Sequence, residues 1–126
     1  YRRCKIAIGD NQYGDKGFVS NRLFEALANG AFLLHQTIPG LEELTGLVDG
    51  VHYVSWGDYD DLRAQARAYL ADDAARRRIA AAGEAFVRAH HSFDARVQEL
   101  FTLIERGAGH GHAEPVADTA DMVWMD

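Results

Sequence analysis

The chain has 126 residues, a formal net charge of −6 and a single cysteine. That length can bury the core of one domain, and the acidic balance argues against a nucleic-acid partner, which needs a concentrated basic face. One cysteine rules out an intramolecular disulfide and fits a reducing cytoplasm, and no apolar run approaches the ~20 residues of a membrane span.

Lys5–Gly9 (KIAIG) is short, β-branched and closed by glycine, which predicts a buried strand with Cys4 packed beside it. Asp10–Gly17 (DNQYGDKG) carries loop chemistry. A helix is predicted from about Ser20 to Asn29, with Ser20 as N-cap and Gly30 as its stop. Ala31–His35 (AFLLH) predicts a second buried strand, Thr37–Gly40 a turn, and Leu41–Leu44 a single helical turn. Val51–Ser55 (VHYVS) alternates and predicts a third strand, in which His52 packs. Asp58 and Asp61 form an acidic capping arrangement for a helix reaching about Leu70, with Leu62, Ala66, Tyr69 and Leu70 on its apolar face. Asp72-Asp73 starts another helix, with Ile79, Ala82 and Phe86 at helical spacing and Arg76-Arg77-Arg78 as a solvated basic face. Ser92 caps the last helix, where Val97, Leu100, Phe101 and Ile104 recur on one side. From Gly107 to Asp126 the periodicity is lost. This predicts a disordered tail in which Val123-Trp124-Met125 can dock, and in which His110 and His112 do not make a metal site.

Alternation of strand and helix predicts an α/β fold with a parallel sheet covered by helices. The chain starts at Tyr1 almost directly on a strand, which suggests the C-terminal half of something larger.

On a helical wheel Leu23, Phe24 and Leu27 share the core-facing arc, while Asn21, Arg22, Glu25 and Asn29 share the opposite one. Arg22 and Glu25 stand one turn apart, so spacing alone fits a surface ion pair. Position adds a second reading. In an open parallel sheet, ligands bind beyond the carboxyl ends of the strands, where helix N-termini also point. The amides of Ser20, Asn21 and Arg22, with the helix dipole, favour a phosphate there, and the Arg22 guanidinium adds to it. Glu25, one turn deeper, can accept two hydroxyls of a ribose, so that both residues serve one pocket. In the next edge loop Pro39 fixes a turn and Gly40 lets a ligand approach the backbone. Glu42 and Glu43 follow in a first helical turn, where acids also serve simply as dipole complements. His35 sits at a strand's carboxyl end and is the histidine best placed for a ligand contact. His90 and His91 read as structural.

The segment Ser20–Leu44, SNRLFEALANGAFLLHQTIPGLEEL, resembles the signature of group 1 glycosyltransferases of the GT-B fold, especially their spore-maturation-protein-like branch. The resemblance continues through DGVHYVSW and the helical stretch from Asp61 to Leu100, and covers Cys4–Arg106 in one register. It implies that residues 1–106 are the Rossmann-like, nucleotide-sugar-binding C-terminal half of a two-domain transferase. The N-terminal half, carrying the acceptor site, would lie outside this chain. By this resemblance Glu25 matches the glutamate that holds the ribose. Ser20, Asn21 and Arg22 match the helix start near the diphosphate, and Gly40 and Glu43 the loop nearer the sugar. The donor is a nucleoside-diphosphate sugar, with no further cofactor and no metal, and no catalytic residue is assigned. The chain departs from the family pattern twice. Gly17 stands where a second acid is usual, and the basic residues that hold the diphosphate are unmatched, leaving Lys16 or Arg22 to substitute.

The leading expectation is therefore a cytoplasmic glycosyltransferase donor-binding domain, inactive as this piece alone. The alternative is a non-catalytic nucleotide- or sugar-phosphate-binding module derived from one. A dinucleotide oxidoreductase would need GxGxxG after the first strand, where the chain has GDNQYG.

Overall fold

The computed structural model describes residues 4–11 and 19–107. Strands β1 (Ala7–Gly9), β2 (Leu33–Gln36) and β3 (Val54–Trp56) form a three-stranded parallel sheet in the order β1-β2-β3. The helices are α1 (Asn21–Ala28), α2 (Leu41–Thr45), α3 (Tyr59–Ala71), α4 (Asp73–His90) and α5 (Phe93–Gly107). The α/β parallel sheet expected from strand–helix alternation is present, and it is Rossmann-like, as the resemblance implied. Expectations placed on Lys16, Gly17, His110, His112 and Val123–Met125 lie outside the described residues. Gly107, the first residue assigned to the tail, closes α5.

The predicted caps carry the hydrogen bonds that fix the helix starts. Ser20 Oγ accepts the Arg22 amide, Asp58 accepts the amides of Asp60 and Asp61, and Asp72 accepts that of Ala75. Ser92 Oγ accepts the Ala95 amide at the start of α5. At the end of α1, Gly30 takes φ +71°, a left-handed conformation that glycine adopts without strain and that turns the chain back into β2.

Two apolar layers cover the sheet. On one face Ala7 and Leu33 pack with Leu23, Ala26 and Leu27 of α1. On the other, Leu34, Val54 and Trp56 pack with Ile79 of α4, joined by Leu62, Ala66 and Tyr69 of α3. The 18-residue α4 serves both layers, because Ile79 lies in the second and Val87 in the first. Between them Gly83 passes against the His52 carbonyl so closely that a Cβ there would lie 2.4 Å from the oxygen. Arg88 donates to the Ala28 carbonyl at 3.0 Å. His52 precedes β3 and Ala28 precedes β2, so α4 crosses the amino ends of the strands and leaves their carboxyl ends clear.

Several expectations are corrected. The third strand begins at Val54, because Val51 and His52 form a turn and Tyr53 makes only an isolated bridge to Asp49. His52 still packs, with its ring 4.4 Å from that of Phe86 and Nδ1 accepting the Val48 amide. Cys4 is exposed, since the strand starts only at Ala7. Leu70 is exposed, whereas Leu62, Ala66 and Tyr69 of the same helix pack against the sheet. Arg76 does not share the solvated face of Arg77 and Arg78. It is buried and donates to the carbonyls of Tyr69 and Leu70 and to Asp73, closing the end of α3 against the start of α4. The apolar side of α5 forms as predicted, yet Val97, Leu100, Phe101 and Ile104 remain 46–57 % exposed.

Candidate functional site at the sheet rim

The register of the parallel sheet places Gly9 beside His35 at the carboxyl ends of β1 and β2. Side chains alternate along a strand, so His35 shares the face of Leu33 and Ala7, beneath α1. The His35 ring is 2 % exposed and fills the space over Gly9, where a Cβ would lie 2.4 Å from its Cδ2. Nδ1 is 2.8 Å from the Gln36 carbonyl oxygen, which only accepts, so Nδ1 carries the proton. Nε2 is left with a lone pair. Burial lowers the His35 pKa below its ordinary value, while the Gln36 bond and the Asp10 charge oppose the shift.

A cleft of about 60 Å³ opens at this rim, bordered by Gly9, Asp10, Arg22, Leu23, Leu33 and His35. Arg22 brings a guanidinium from the first turn of α1. Ser20 caps that helix, and its hydroxyl occupies the Arg22 amide, so of the three amides expected for an anion only those of Ser20 and Asn21 remain. The cleft thus combines one cation, one carboxylate and one neutral acceptor over an apolar wall.

Glu25 faces elsewhere. With Asn21 and Phe24 it lines a groove of about 600 Å³ between α1 and the α4–α5 junction, opposite Arg88, His91 and Phe93. Among the described residues the side chains of Arg22 and Glu25 have no ion-pair or hydrogen-bond partner, so the surface pair suggested by their spacing does not form. Gly40 caps α2 at φ +73° and is exposed with Glu43, at the same sheet edge but outside the rim cleft. His91 is structural, as expected. It donates through Nε2 to the Thr45 carbonyl at 2.8 Å, and Nδ1 accepts from Arg96 at 2.7 Å.

The family model for glycosyl transferase-like proteins matches residues 1–102. The chain belongs to that family. No curated protein and no solved structure matches it. In this glycosyl transferase-like chain the rim cleft occupies the edge at which open α/β sheets bind ligands. Sequence reasoning passed over Gly9 and Asp10. The available signal was a glycine ending a buried strand, followed at once by an acid, but only the register shows that the glycine makes room for His35.

Proposed function

We propose that the chain is the donor-binding domain of a glycosyltransferase of the GT-B fold and group 1 type, holding a nucleoside-diphosphate sugar at the carboxyl rim of its sheet. The observation that carries this reading is Arg22, which lines the rim cleft of a glycosyl transferase-like chain and has no side-chain partner among the described residues. Arg22 and the amides of Ser20 and Asn21 take the diphosphate, at the positive end of the α1 dipole. As the sugar leaves, charge develops on that diphosphate, and a fixed cation stabilises it without further reorganisation. Glu25 takes the ribose hydroxyls, and Gly40 and Glu43 approach the sugar. The donor serves as substrate, and no metal or cofactor enters the scheme. An N-terminal half supplies the acceptor site.

Calorimetric titration of the 126-residue chain with UDP and GDP tests the reading. Saturable binding of at least one, weakened by Arg22→Ala, is the expected result. Absence of binding to either overturns the donor-site assignment.

A further inference from the structure

The rim cleft contains a group that a phosphate site alone does not explain. His35 is buried, its Nδ1–H is committed to the Gln36 carbonyl, and no described residue donates to Nε2. Among the described residues the one fully buried side-chain polar atom without a partner is Trp56 Nε1, so His35 Nε2 keeps access to the cleft that His35 lines, where a ligand donor can take the place of solvent. We infer that His35 Nε2 accepts a hydrogen bond from a hydroxyl of the bound ligand, and so makes His35 a specificity-determining residue for a hydroxyl carried close to the phosphate on Arg22. This inference rests on the donor-site reading above.

The chemistry limits the occupant. An ionised phosphate has only acceptor oxygens and finds no donor at Nε2, whereas a hydroxyl donates to it. Burial keeps the imidazole neutral near pH 7, which preserves the lone pair. Asp10, on the same wall, also accepts and repels an anion, so the His35 side of the cleft suits hydroxyls and the Arg22 side suits phosphate. A volume of about 60 Å³ admits the edge of a sugar ring but not a nucleobase with its ribose. Gly9 is part of the same device, since any side chain there would displace the ring.

The hydroxyl can come from the ribose or from the transferred sugar, and titrations of the whole chain separate the two. The ligands are a nucleoside diphosphate bound by the wild type, its 2′-deoxy and 3′-deoxy forms, and the matching nucleoside-diphosphate sugar. His35→Asn keeps an amide donor for the Gln36 carbonyl and removes the acceptor at Nε2, while His35→Gln restores an acceptor near that place. Melting curves establish that each variant is folded. His35→Asn is expected to weaken binding about tenfold, the scale of one lost hydrogen bond, with partial recovery in His35→Gln. If the ribose supplies the hydroxyl, the loss appears with the plain diphosphate and vanishes against one deoxy form. If the sugar supplies it, the loss appears only with the sugar-bearing ligand. Undiminished binding of every ligand by His35→Asn overturns the inference while leaving the donor site intact. Should both variants unfold, Glu25→Ala with His35 intact decides, because equal affinity for all ligands in that background would show that no hydroxyl is read at His35. Failure of the wild type to bind any diphosphate overturns the donor-site reading and this inference with it.

Discussion

Arg22 and Glu25 stand three residues apart on α1 and open onto different hollows, Arg22 onto the cleft at the sheet rim and Glu25 onto the groove beside α5. One helix thereby offers a cation and a carboxylate to a ligand long enough to reach both. If the diphosphate rests on Arg22, Arg22→Ala should weaken nucleoside diphosphates about tenfold and leave nucleosides nearly unaffected, since a charge-assisted hydrogen bond is worth about 1.5–3 kcal/mol. If the ribose reaches Glu25, Glu25→Ala should weaken both classes. Both side chains are exposed, so melting temperatures should barely move. Calorimetry beside melting curves checks these outcomes, and an equal loss for both classes in Arg22→Ala would remove its phosphate role.

Gly83→Ala reverses the usual preference within a helix. Alanine is favoured over glycine there by about 1 kcal/mol. The added methyl, however, meets the His52 carbonyl at 2.4 Å and Leu27 Cδ2 at 3.0 Å. Overpacking of this kind costs roughly 1–3 kcal/mol, so a net loss of stability is expected in urea denaturation. A more stable variant would mean that α4 does not cross where the structure places it.

The three adjacent arginines of α4 should respond unequally. Arg76→Ala strips donors from the carbonyls of Tyr69 and Leu70 and should lower stability by about 2 kcal/mol. Arg77→Ala and Arg78→Ala remove exposed charges and should stay within about 0.5 kcal/mol of the parent. Equal midpoints for all three in urea would contradict the buried position of Arg76.

Acid should loosen the fold before the carboxylates titrate. Burial lowers the pKa of His35, His52 and His91 below the ordinary 6.5, so the folded chain holds all three neutral more firmly than the unfolded chain does. The unfolded state then binds more protons, and stability rises with pH in that range. The contribution is complete above about 6.5 and is lost as pH falls through the depressed folded values. For His91 burial is the main cause and Arg96 adds to it, since a second ring proton would point at the guanidinium that already donates to Nδ1. The melting temperature should drop between pH 7.5 and 5, and a flat profile would count against the burial of these rings.

Little of α5 is held by the other described residues. Its apolar side is half exposed, so its amides should exchange with solvent faster than those of α1 and α4 in a hydrogen-exchange time course. Protection in α5 equal to that of α4 would show a covering that the described residues do not supply.

Most of the secondary structure could be read from residue patterns, because the signals are local. Ser20, Asp58, Asp72 and Ser92 each start a helix through their own oxygen, and the apolar spacing of Leu23 and Leu27 selects the buried side of α1. Non-local relations were out of reach. Arg76 looks like Arg77 and Arg78 until the path from α3 to α4 is known. The single pocket expected for Arg22 and Glu25 depended on how α5 folds back beside α1, which no periodicity encodes. The place of His35 at a strand end was visible, but its partnership with Gly9 follows from sheet register alone.

That partnership reaches beyond this chain. A ring at the position of His35 and a bare backbone at that of Gly9 compete for one volume, so the two sites are not free to vary separately. Relatives that gain a side chain at the position of Gly9 must lose the ring at that of His35. Aligned descendants of the same ancestor should therefore show paired exchange between two positions 26 residues apart.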